Sequence, residues 1–276
     1  MKIFYGDNQF LGVNHSKGKG ASYLSKYDST NKIAITLTEA WDAGIRDFCF
    51  TVNSRTVEAI NIIKDDCPFN LHPALPYAHD INELISEKGL AGALISKTKE
   101  AGLMNSLIAG FKALFGRYDH LIKIIIDVEL KGIPKENIKS IGLLNVANDF
   151  LLGLRRDDLI KSFYSVVNID FKKTPFFYTM NFPKMADMLW GNGFNNCSII
   201  FNYNEIGFRT NPSKEEIEKY IKKYSNYESI AMSVFSGSNY QNSADFLIDV
   251  HDLSGVLFGS SKKENIINNY EYFTRL

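Results

Sequence analysis

Short apolar runs alternate with amphipathic segments along almost the whole chain, and this alternation limits the folds that the chain can adopt. The apolar runs predicted to form strands are Gln9–Asn14, Asp47–Val52, Asn70–Tyr77, Ser140–Val146, Pro175–Met180, Cys197–Tyr203, Ser229–Phe235 and Gly255–Phe258. Helical spacing predicts helices between them, at residues 33–44, 56–64, 150–167, 183–192, 213–224, 241–250 and 263–274, and one more from Asp80. Eight strands alternating with helices predict the α/β fold class, as a single (β/α)8 or TIM barrel that spans residues 1–276 as one domain.

Residues 90–134 interrupt this rhythm. They are mostly helical in pattern and include the apolar run Leu121–Val128. One interpretation is a helical insertion or an elongated helical connection, with a lid as its role. The other is an enlarged third helix with no functional role. In either case the apolar side chains must pack against the rest of the chain, so the segment is not a linker.

The balance of charges excludes two classes of partner. Lys+Arg and Asp+Glu are both 31, so the net charge is zero and no overall field attracts nucleic acid or an anionic membrane. The apolar runs fall far short of the roughly 20 residues that span a bilayer. We therefore expect a small molecule as the substrate, no nucleic acid and no membrane, and the oligomeric state is left open.

The cysteines and the N-terminus indicate the compartment. The first residues lack the apolar stretch of a signal peptide. Cys49, Cys67 and Cys197 are an odd number without the spacing of metal ligands, which favours reduced thiols in the cytoplasm. The sequence also lacks HxH and HExxH clusters, so no metal is expected, and it lacks a GxSxG elbow and a Walker loop.

Asparagine recurs where the predicted strands end, which is the face of such a barrel that carries chemistry. An amide donates and accepts hydrogen bonds without titrating, and this suits the recognition of hydroxyls and carbonyls. The alternative is that asparagine is simply frequent in this sequence and favoured in turns. The predicted substrate-binding residues are Asn14, Asn53, Asn145, Asn181, Asn204 and Glu205.

Fewer side chains at these strand ends can move protons. The predicted catalytic residues are Asp7, His15, His72, Tyr77 and His79. Asp7 and His15 flank the first predicted strand, so a carboxylate that orients a histidine is geometrically feasible. For His72, between Leu71 and Pro73, a buried structural role is the open alternative. Asp80 and Asp149 are interpreted as helix caps.

The last strand leads into a turn that is typical of anion binding. Gly259, Ser260 and Ser261 precede Lys262 and a helical pattern. Backbone N–H groups at a helix start, a small flexible turn and neighbouring lysines form a cradle for an anion, and (β/α)8 enzymes often hold a phosphate in this unit. The alternative is an ordinary helix start with serine caps.

Three segments resemble aldo-keto reductases: Ala40–Phe48 (AWDAGIRDF), Met180–Phe182 (MNF) and Gly259–Asn269 (GSSKKENIINN). The resemblance implies that Asn181 holds the amide of a nicotinamide. It also implies that Gly259–Lys262, Asn265 and Asn269 hold the 2′-phosphate of the adenosine, so NADP is the cofactor that it suggests.

The chain departs from this family at its catalytic tetrad of Asp, Tyr, Lys and His. The Asp position aligns with Cys49 and the Tyr position with Ser54. The segment Leu75–Tyr77 lacks the lysine, and Asn145 stands near the position of the histidine. Without a tyrosine donor and a lysine that lowers its pKa, carbonyl reduction by the family's route is not expected.

Three functions remain open. The leading hypothesis is an enzyme that performs acid–base chemistry on a small carbonyl or polyhydroxy substrate. Whether this substrate carries a phosphate group is left open. The second is an NADP-dependent carbonyl oxidoreductase with a relocated proton donor, Tyr77 or His79. The third is a metabolite or nucleotide sensor without catalysis, since a fold does not imply a function.

Overall fold

A computed structural model describes residues 1–12, 25–75, 118–236, 246–247 and 252–275. Within these ranges eight parallel strands pair in chain order and close into a barrel, because the eighth pairs again with the first. The strands are β1 (Lys2–Gly6), β2 (Asp47–Thr51), β3 (Asn70–Leu75), β4 (Ser140–Leu143), β5 (Thr174–Thr179), β6 (Ser198–Asn202), β7 (Glu228–Met232) and β8 (Gly255–Phe258). The predicted (β/α)8 fold is confirmed.

The described helices lie between the strands in sequence, except for the last, which follows β8. They are α1 (Thr30–Asp42), α2 (Ser54–Ile63), α3 (Asp119–Glu129), α4 (Asn145–Gly153), α5 (Asp157–Ser165), α6 (Phe182–Gly191), α7 (Lys214–Lys223) and α8 (Lys263–Thr274), and a π-helix, Val166–Asp170, extends α5. None of these helices is both long and apolar enough to cross a bilayer.

The predicted first strand, Gln9–Asn14, is wrong. Strand β1 is Lys2–Gly6, where aromatic and β-branched residues alternate between the two faces of the barrel wall. The chain turns immediately afterwards, because the Phe10 N–H donates to the Asp7 carbonyl oxygen and the Gln9 side chain donates to the Gly6 carbonyl oxygen.

The apolar run within 90–134 forms α3, which buries Leu121, Ile124 and Ile126. Residues 76–117 lie outside the described residues, so the helix from Asp80 and the larger part of the predicted insertion stay predictions. The same holds for the helix at 241–250, of which only Phe246 and Leu247 are described, both as helical.

Alternation along the strands produces two apolar layers. One fills the space between the barrel and its helices, and the other fills the barrel itself with Phe4, Cys49, Ala74, Phe176, Tyr178, Ile200 and Ile230. The His72 ring stacks on Phe176 with the ring centroids 5.1 Å apart, and Phe4 packs edge-on against both rings. The interior is therefore a packed core and not a pore.

All three cysteines are buried and free of disulfides. Cys49 lies inside the barrel, whereas Cys67 and Cys197 belong to the layer beneath the helices. Burial raises the pKa of each thiol, and that of Cys197 to about 12. The thiols therefore stay protonated at neutral pH.

The amino-terminal end of the barrel is polar. His72 bonds through Nε2 to Asp47 Oδ1 at 2.9 Å and through Nδ1 to Ser140 Oγ at 2.7 Å. Nearby, the Ser198 hydroxyl donates to the Glu228 carboxylate, which also pairs with Lys2. These bonds satisfy the polar groups that the first residues of the strands bring into the barrel.

Candidate active site

The end of β1 places a carboxylate at the mouth of the barrel. Asp7 follows β1 directly and is only 6% exposed. Its Oδ2 accepts the backbone N–H of Thr51, the last residue of β2, at 2.7 Å. The turn closed by Phe10 fixes the backbone of Asp7 from the other side.

Burial makes this carboxyl a weaker acid than an ordinary aspartate side chain. Loss of solvation raises the pKa of Asp7 to about 7, although hydrogen bonds from the backbone N–H groups of Thr51 and of Asp7 itself act in the opposite direction. A carboxyl with a pKa near neutrality can both accept and donate a proton at physiological pH. A pKa near neutrality is the chemical requirement for a general acid–base, and the catalytic role of Asp7 stays a prediction.

Two protonated groups lie close to Asp7. The Cys49 thiol and the Tyr178 hydroxyl interact with each other, and both side chains are buried. Burial raises the pKa of each group well above its ordinary value, and the charge of Asp7 adds to both shifts. At neutral pH these groups are therefore hydrogen-bond donors and not bases.

Tyr178 is a mouth residue that the predicted site omitted. Its ring lies against Gly142, where an added Cβ would stand 2.8 Å from the ring atom Cε2. Its place at the end of the predicted strand Pro175–Met180 marks it as a candidate in the sequence, and the alternation of β5 brings Phe176 and Tyr178 to the interior.

A second pair of mouth residues was also omitted. Asn202 ends β6, is 4% exposed, and accepts the Ser233 hydroxyl through Oδ1 at 2.6 Å. Its Nδ2 lies 2.7 Å from the Met180 thioether sulfur. Ser233 follows β7 with a φ of 59°, in the left-handed region that serine seldom adopts.

Three of the predicted asparagines hold local backbone. The Asn53 Oδ1 accepts the Thr56 N–H and caps α2, and the Asn181 Oδ1 accepts the Lys184 N–H and caps α6. The buried Asn204 bonds through both amide atoms to the backbone of Phe208. These contacts agree with the alternative that asparagine is favoured in caps and turns, and substrate binding by the three stays a prediction.

Of the other three predicted binding residues, two lie within the described part of the chain. Asn145 begins α4 and is half-buried. Glu205 follows β6, and its Oε2 is buried without a hydrogen-bond partner among the described residues. Asn14 lies outside the described residues, as do the predicted catalytic residues His15, Tyr77 and His79.

Asp149 is not a helix cap. Helix α4 begins at Asn145, and the Asp149 carboxylate accepts the Thr179 hydroxyl at 2.6 Å and the Met180 N–H at 2.8 Å. Asp149 therefore fixes the end of β5 as Asp7 fixes the end of β2. Burial raises the pKa of this carboxyl as well.

His72 lies at the opposite end of the barrel from Asp7. Both ring nitrogens are engaged, by Asp47 at the start of β2 and by Ser140 at the start of β4. In this fold the amino-terminal end serves stability and the carboxyl-terminal end serves catalysis. Of the two roles that the sequence left open for His72, the position favours the structural one.

The loop after β8 borders a basic groove. The groove measures about 470 Å³ and is lined by Lys26, Lys32, Lys262 and Lys263 together with Tyr27, Ile35, Thr36, Glu39 and Ser261. Lys32 pairs with Asp28, and Lys26 donates to the Ser261 carbonyl oxygen. Four lysines against one lining glutamate favour an anionic ligand.

The remaining residues of this loop differ in accessibility. Gly259 is exposed, and an added Cβ there would stand 2.2 Å from Gln9 Oε1. The Ser260 carbonyl oxygen accepts the Tyr5 hydroxyl at 2.5 Å. Asn265 is exposed, whereas Asn269 is buried and its Oδ1 lacks a hydrogen-bond partner in the described part of the chain.

NADP, the cofactor that such a barrel implies, fits this surface only in part. The lysines and the start of α8 suit a phosphate. At the reacting end the Asn181 Oδ1 is engaged by α6. Cys49 and Ser54, which the sequence resemblance aligns with the tetrad Asp and Tyr, bring neither a carboxylate nor a phenol. The described residues therefore do not supply, at these two positions, the proton donor of that family's route of hydride transfer. They also hold no cluster of three metal-ligating side chains.

Comparisons with known proteins agree on the fold. No family model and no curated protein matches the sequence. Two structures from Pseudomonas aeruginosa, each provisionally assigned as an aldo-keto reductase, match with TM-scores of 0.63 and 0.62 at 9% and 8% identity. They cover 99% and 100% of this chain, and each match covers 90% of the solved chain.

An aldo-keto reductase from Brucella melitensis matches with a TM-score of 0.54 at 12% identity, over 98% of this chain and 87% of that one. At these identities the similarity establishes the fold alone. The chain therefore shares the (β/α)8 barrel fold of these structures.

Proposed function

We propose that the chain is an enzyme that performs acid–base catalysis on a small carbonyl or polyhydroxy substrate, with Asp7 as the group that moves the proton. One observation carries this proposal: a buried carboxylate at the mouth of the barrel, held by the Thr51 N–H, with its pKa raised to about 7. Enzymes that use carboxyl groups as acids or bases near neutral pH tune them by this kind of burial.

The surrounding groups suit proton abstraction from a carbon next to a carbonyl. Asp7 as carboxylate takes the proton, and the negative charge then moves to the substrate oxygen. Tyr178, which stays protonated because its pKa is raised, is a donor suited to stabilise that oxygen. The hydroxyl proton on the deprotonated carbon then passes to the former carbonyl oxygen, while Asp7 returns its proton to the former carbonyl carbon. The net result is an isomerisation that needs no oxidant or reductant.

The basic groove supports a phosphate on the ligand. Four lysines line this groove, and two of them, Lys262 and Lys263, follow Ser261 directly in the sequence. Together they favour an anionic group. The same groove supports the second candidate, an NADP-dependent oxidoreductase, for which Tyr178 is the relocated donor among the described residues. It also suits the third, a sensor that binds a phosphorylated metabolite without reaction. With a net charge of zero, we propose a cytoplasmic setting without nucleic-acid or membrane partners.

Deuterium exchange tests the leading candidate. Dihydroxyacetone, its phosphate and glyceraldehyde are incubated with the protein in D2O, and proton NMR follows the carbon next to the carbonyl. We expect exchange with the wild type and a loss of roughly 100-fold or more in Asp7→Asn, the usual scale for a general base. The control Asp65→Asn, which removes an exposed carboxylate, retains the rate. If a folded wild type exchanges none of the three compounds, the proposal fails.

A further inference from the structure

We infer that Asn202 orients the substrate of the proposed reaction, by donating a hydrogen bond from its side-chain amide to a carbonyl or hydroxyl oxygen. Ser233 holds that amide in the orientation required. The inference rests on the proposed function, because it places Asn202 in the mouth that Asp7 serves.

The position of Asn202 follows from the alternation of β6. Ile200 points into the apolar cluster inside the barrel, so Asn202, two residues later, points to the same side one layer closer to the mouth. Only 4% of it is exposed. A buried amide at this level lies at the end of the barrel that carries the substrate sites in this fold.

The oxygen of the Asn202 side-chain amide has a strong hydrogen-bond partner, whereas its nitrogen has only a weak one. Its Oδ1 accepts the Ser233 hydroxyl at 2.6 Å, whereas Nδ2 faces the thioether of Met180. A thioether is a weak acceptor, and an amide oxygen turned toward it would meet lone pairs. The orientation with Nδ2 toward Met180 is therefore the favoured one, and its N–H groups retain most of their capacity for a stronger acceptor.

The backbone of Ser233 adds a second, independent observation. Its φ of 59° lies in the left-handed region, which costs a non-glycine residue about 1 kcal/mol or more. Strain of this kind concentrates where a side chain must point in one direction. Here it aims the Ser233 hydroxyl at Asn202, and the Ser236 N–H donates to the Ser233 carbonyl oxygen and closes the turn.

The surroundings allow a substrate oxygen to reach the amide. Met180 and Met232 are both half-buried at the same end of the barrel, and unbranched thioether side chains repack at low cost. Strand β6 lies three strands from β1 around the barrel, by way of β8 and β7. Asn202 and Asp7 thus approach the mouth from different sides, so one can bind an oxygen while the other handles the proton.

The substitution Asn202→Asp tests the donor specifically. It retains the shape of the side chain and an acceptor for Ser233, but as a carboxylate it has no N–H to donate. We expect KM for dihydroxyacetone in the exchange assay to rise about 3- to 10-fold in Asn202→Asp and in Asn202→Leu, the scale of one hydrogen bond, with a smaller change in kcat. Asn226→Asp, which alters an exposed asparagine, is the matched control. Wild-type KM in both Asn202 variants would overturn the inference.

A binding measurement separates this inference from the proposed reaction. The side-chain amide signals of Asn202 in a ¹⁵N-labelled sample are identified by their loss in Asn202→Leu. We expect dihydroxyacetone to shift them in the wild type and also in Asp7→Asn, which cannot catalyse exchange. A shift without exchange supports Asn202 as a binding residue while the proposed reaction fails. Exchange without a shift overturns the role of Asn202 and leaves the reaction standing.

Substitutions of Ser233 test the orienting role. Ser233→Ala and Ser233→Gly both remove the hydroxyl that holds Asn202, but glycine adopts a positive φ without strain. We expect KM to rise about 3-fold in both variants, with Ser233→Gly the more stable of the two on thermal unfolding. Unchanged KM in both variants would show that Ser233 does not orient the amide.

Discussion

The carboxylate of Asp7 and the backbone N–H of Thr51 form a 2.7 Å hydrogen bond that joins the carboxyl ends of β1 and β2. The carbonyl oxygen of a protonated carboxyl can accept the same bond, so the contact survives a change of charge. Burial raises the pKa of Asp7 to about 7, because the carboxylate loses more solvation free energy than the neutral carboxyl when it is removed from water. This contact therefore links the pH to both stability and catalysis.

We expect Asp7→Asn to remove a pH dependence of stability. The folded-state pKa of about 7 exceeds the ordinary value of 3.8, so between these values the folded state holds a proton that the unfolded chain has lost. The contribution of Asp7 is fully present below about pH 4 and is lost as the pH rises through 7, roughly 4 kcal/mol in all. Urea unfolding at about pH 5 and about pH 8 should show roughly 3 kcal/mol of this loss in the wild type but not in the variant. Equal pH dependence in the two proteins would contradict the shifted pKa.

We expect Gly259→Ala to destabilise the loop after β8 through one contact. The new Cβ would lie 2.2 Å from Gln9 Oε1, so the buried Gln9 side chain must move. A cost of roughly 1–3 kcal/mol is expected, and Gln9→Ala in the same chain should recover much of it. The double-mutant cycle is measured by denaturant unfolding, with Gly191→Ala, where the Cβ meets nothing within 4 Å, as control. Additive effects would show that Gln9 is not the obstacle.

We expect Ser140→Ala to cost about 1–3 kcal/mol in the free energy of unfolding, since it leaves His72 Nδ1 buried without its partner. Ser225→Ala, which alters an exposed serine, should be close to neutral. Because the Ser140–His72–Asp47 chain lies at the amino-terminal end, deuterium exchange at the mouth should continue in the folded variant. Loss of exchange without loss of stability would instead give His72 a catalytic role.

We expect phosphate-bearing ligands to bind in the basic groove. Titration with inorganic pyrophosphate should shift the backbone amide signals of Ser260, Ser261 and Lys262. The double substitution Lys262→Gln and Lys263→Gln should weaken binding about 10-fold, and added salt should weaken it in the wild type. Lys222→Gln, at an exposed position in the last turn of α7, is the control. Unshifted amides would remove the functional interpretation of this loop.

We expect no reduction of ordinary aldehydes with NADPH. The alkoxide formed by hydride transfer needs a proton donor of matched acidity, and the sequence resemblance aligns Cys49 and Ser54 with the Asp and Tyr of the aldo-keto reductase tetrad. Burial raises the pKa of the Cys49 thiol further, so it cannot replace the missing acid. Oxidation of NADPH is followed by absorbance with a panel of aldehydes and ketones. Turnover on the order of 1 per second or faster would contradict this expectation, and its loss in Tyr178→Phe would then identify the donor.

Regular alternation made the barrel predictable from the sequence. Strands such as Ser198–Asn202 carry apolar residues on both faces and differ by only one residue at each end from the predicted run. The first strand was missed because Lys2–Gly6 is short and lies at the very start of the chain, whereas Gln9–Asn14 has a similar apolar content. Local composition cannot decide between two such neighbours, because pairing with β2 and β8 selects the strand.

The candidate site was less predictable. Asp7 could be named from its place beside the first strand, but its raised pKa depends on burial that only the closed barrel creates. Asn181 and Asn204 could not be told from caps and turns by residue type, since the same amide serves both roles. Asn202 and Ser233 each stand at a strand end in the sequence, but the hydrogen bond that joins them and the positive φ of Ser233 depend on the folded chain and not on a local pattern.

Because all three cysteines are buried, their alkylation can report local unfolding in two different layers of the barrel. A thiol is alkylated as its thiolate, and in the native barrel each thiol is both covered and held protonated. Alkylation of each thiol therefore requires local unfolding of the structure around it. Modification of Cys67 and Cys197 reports separation of the helices from the barrel wall, and modification of Cys49 reports opening of the wall itself.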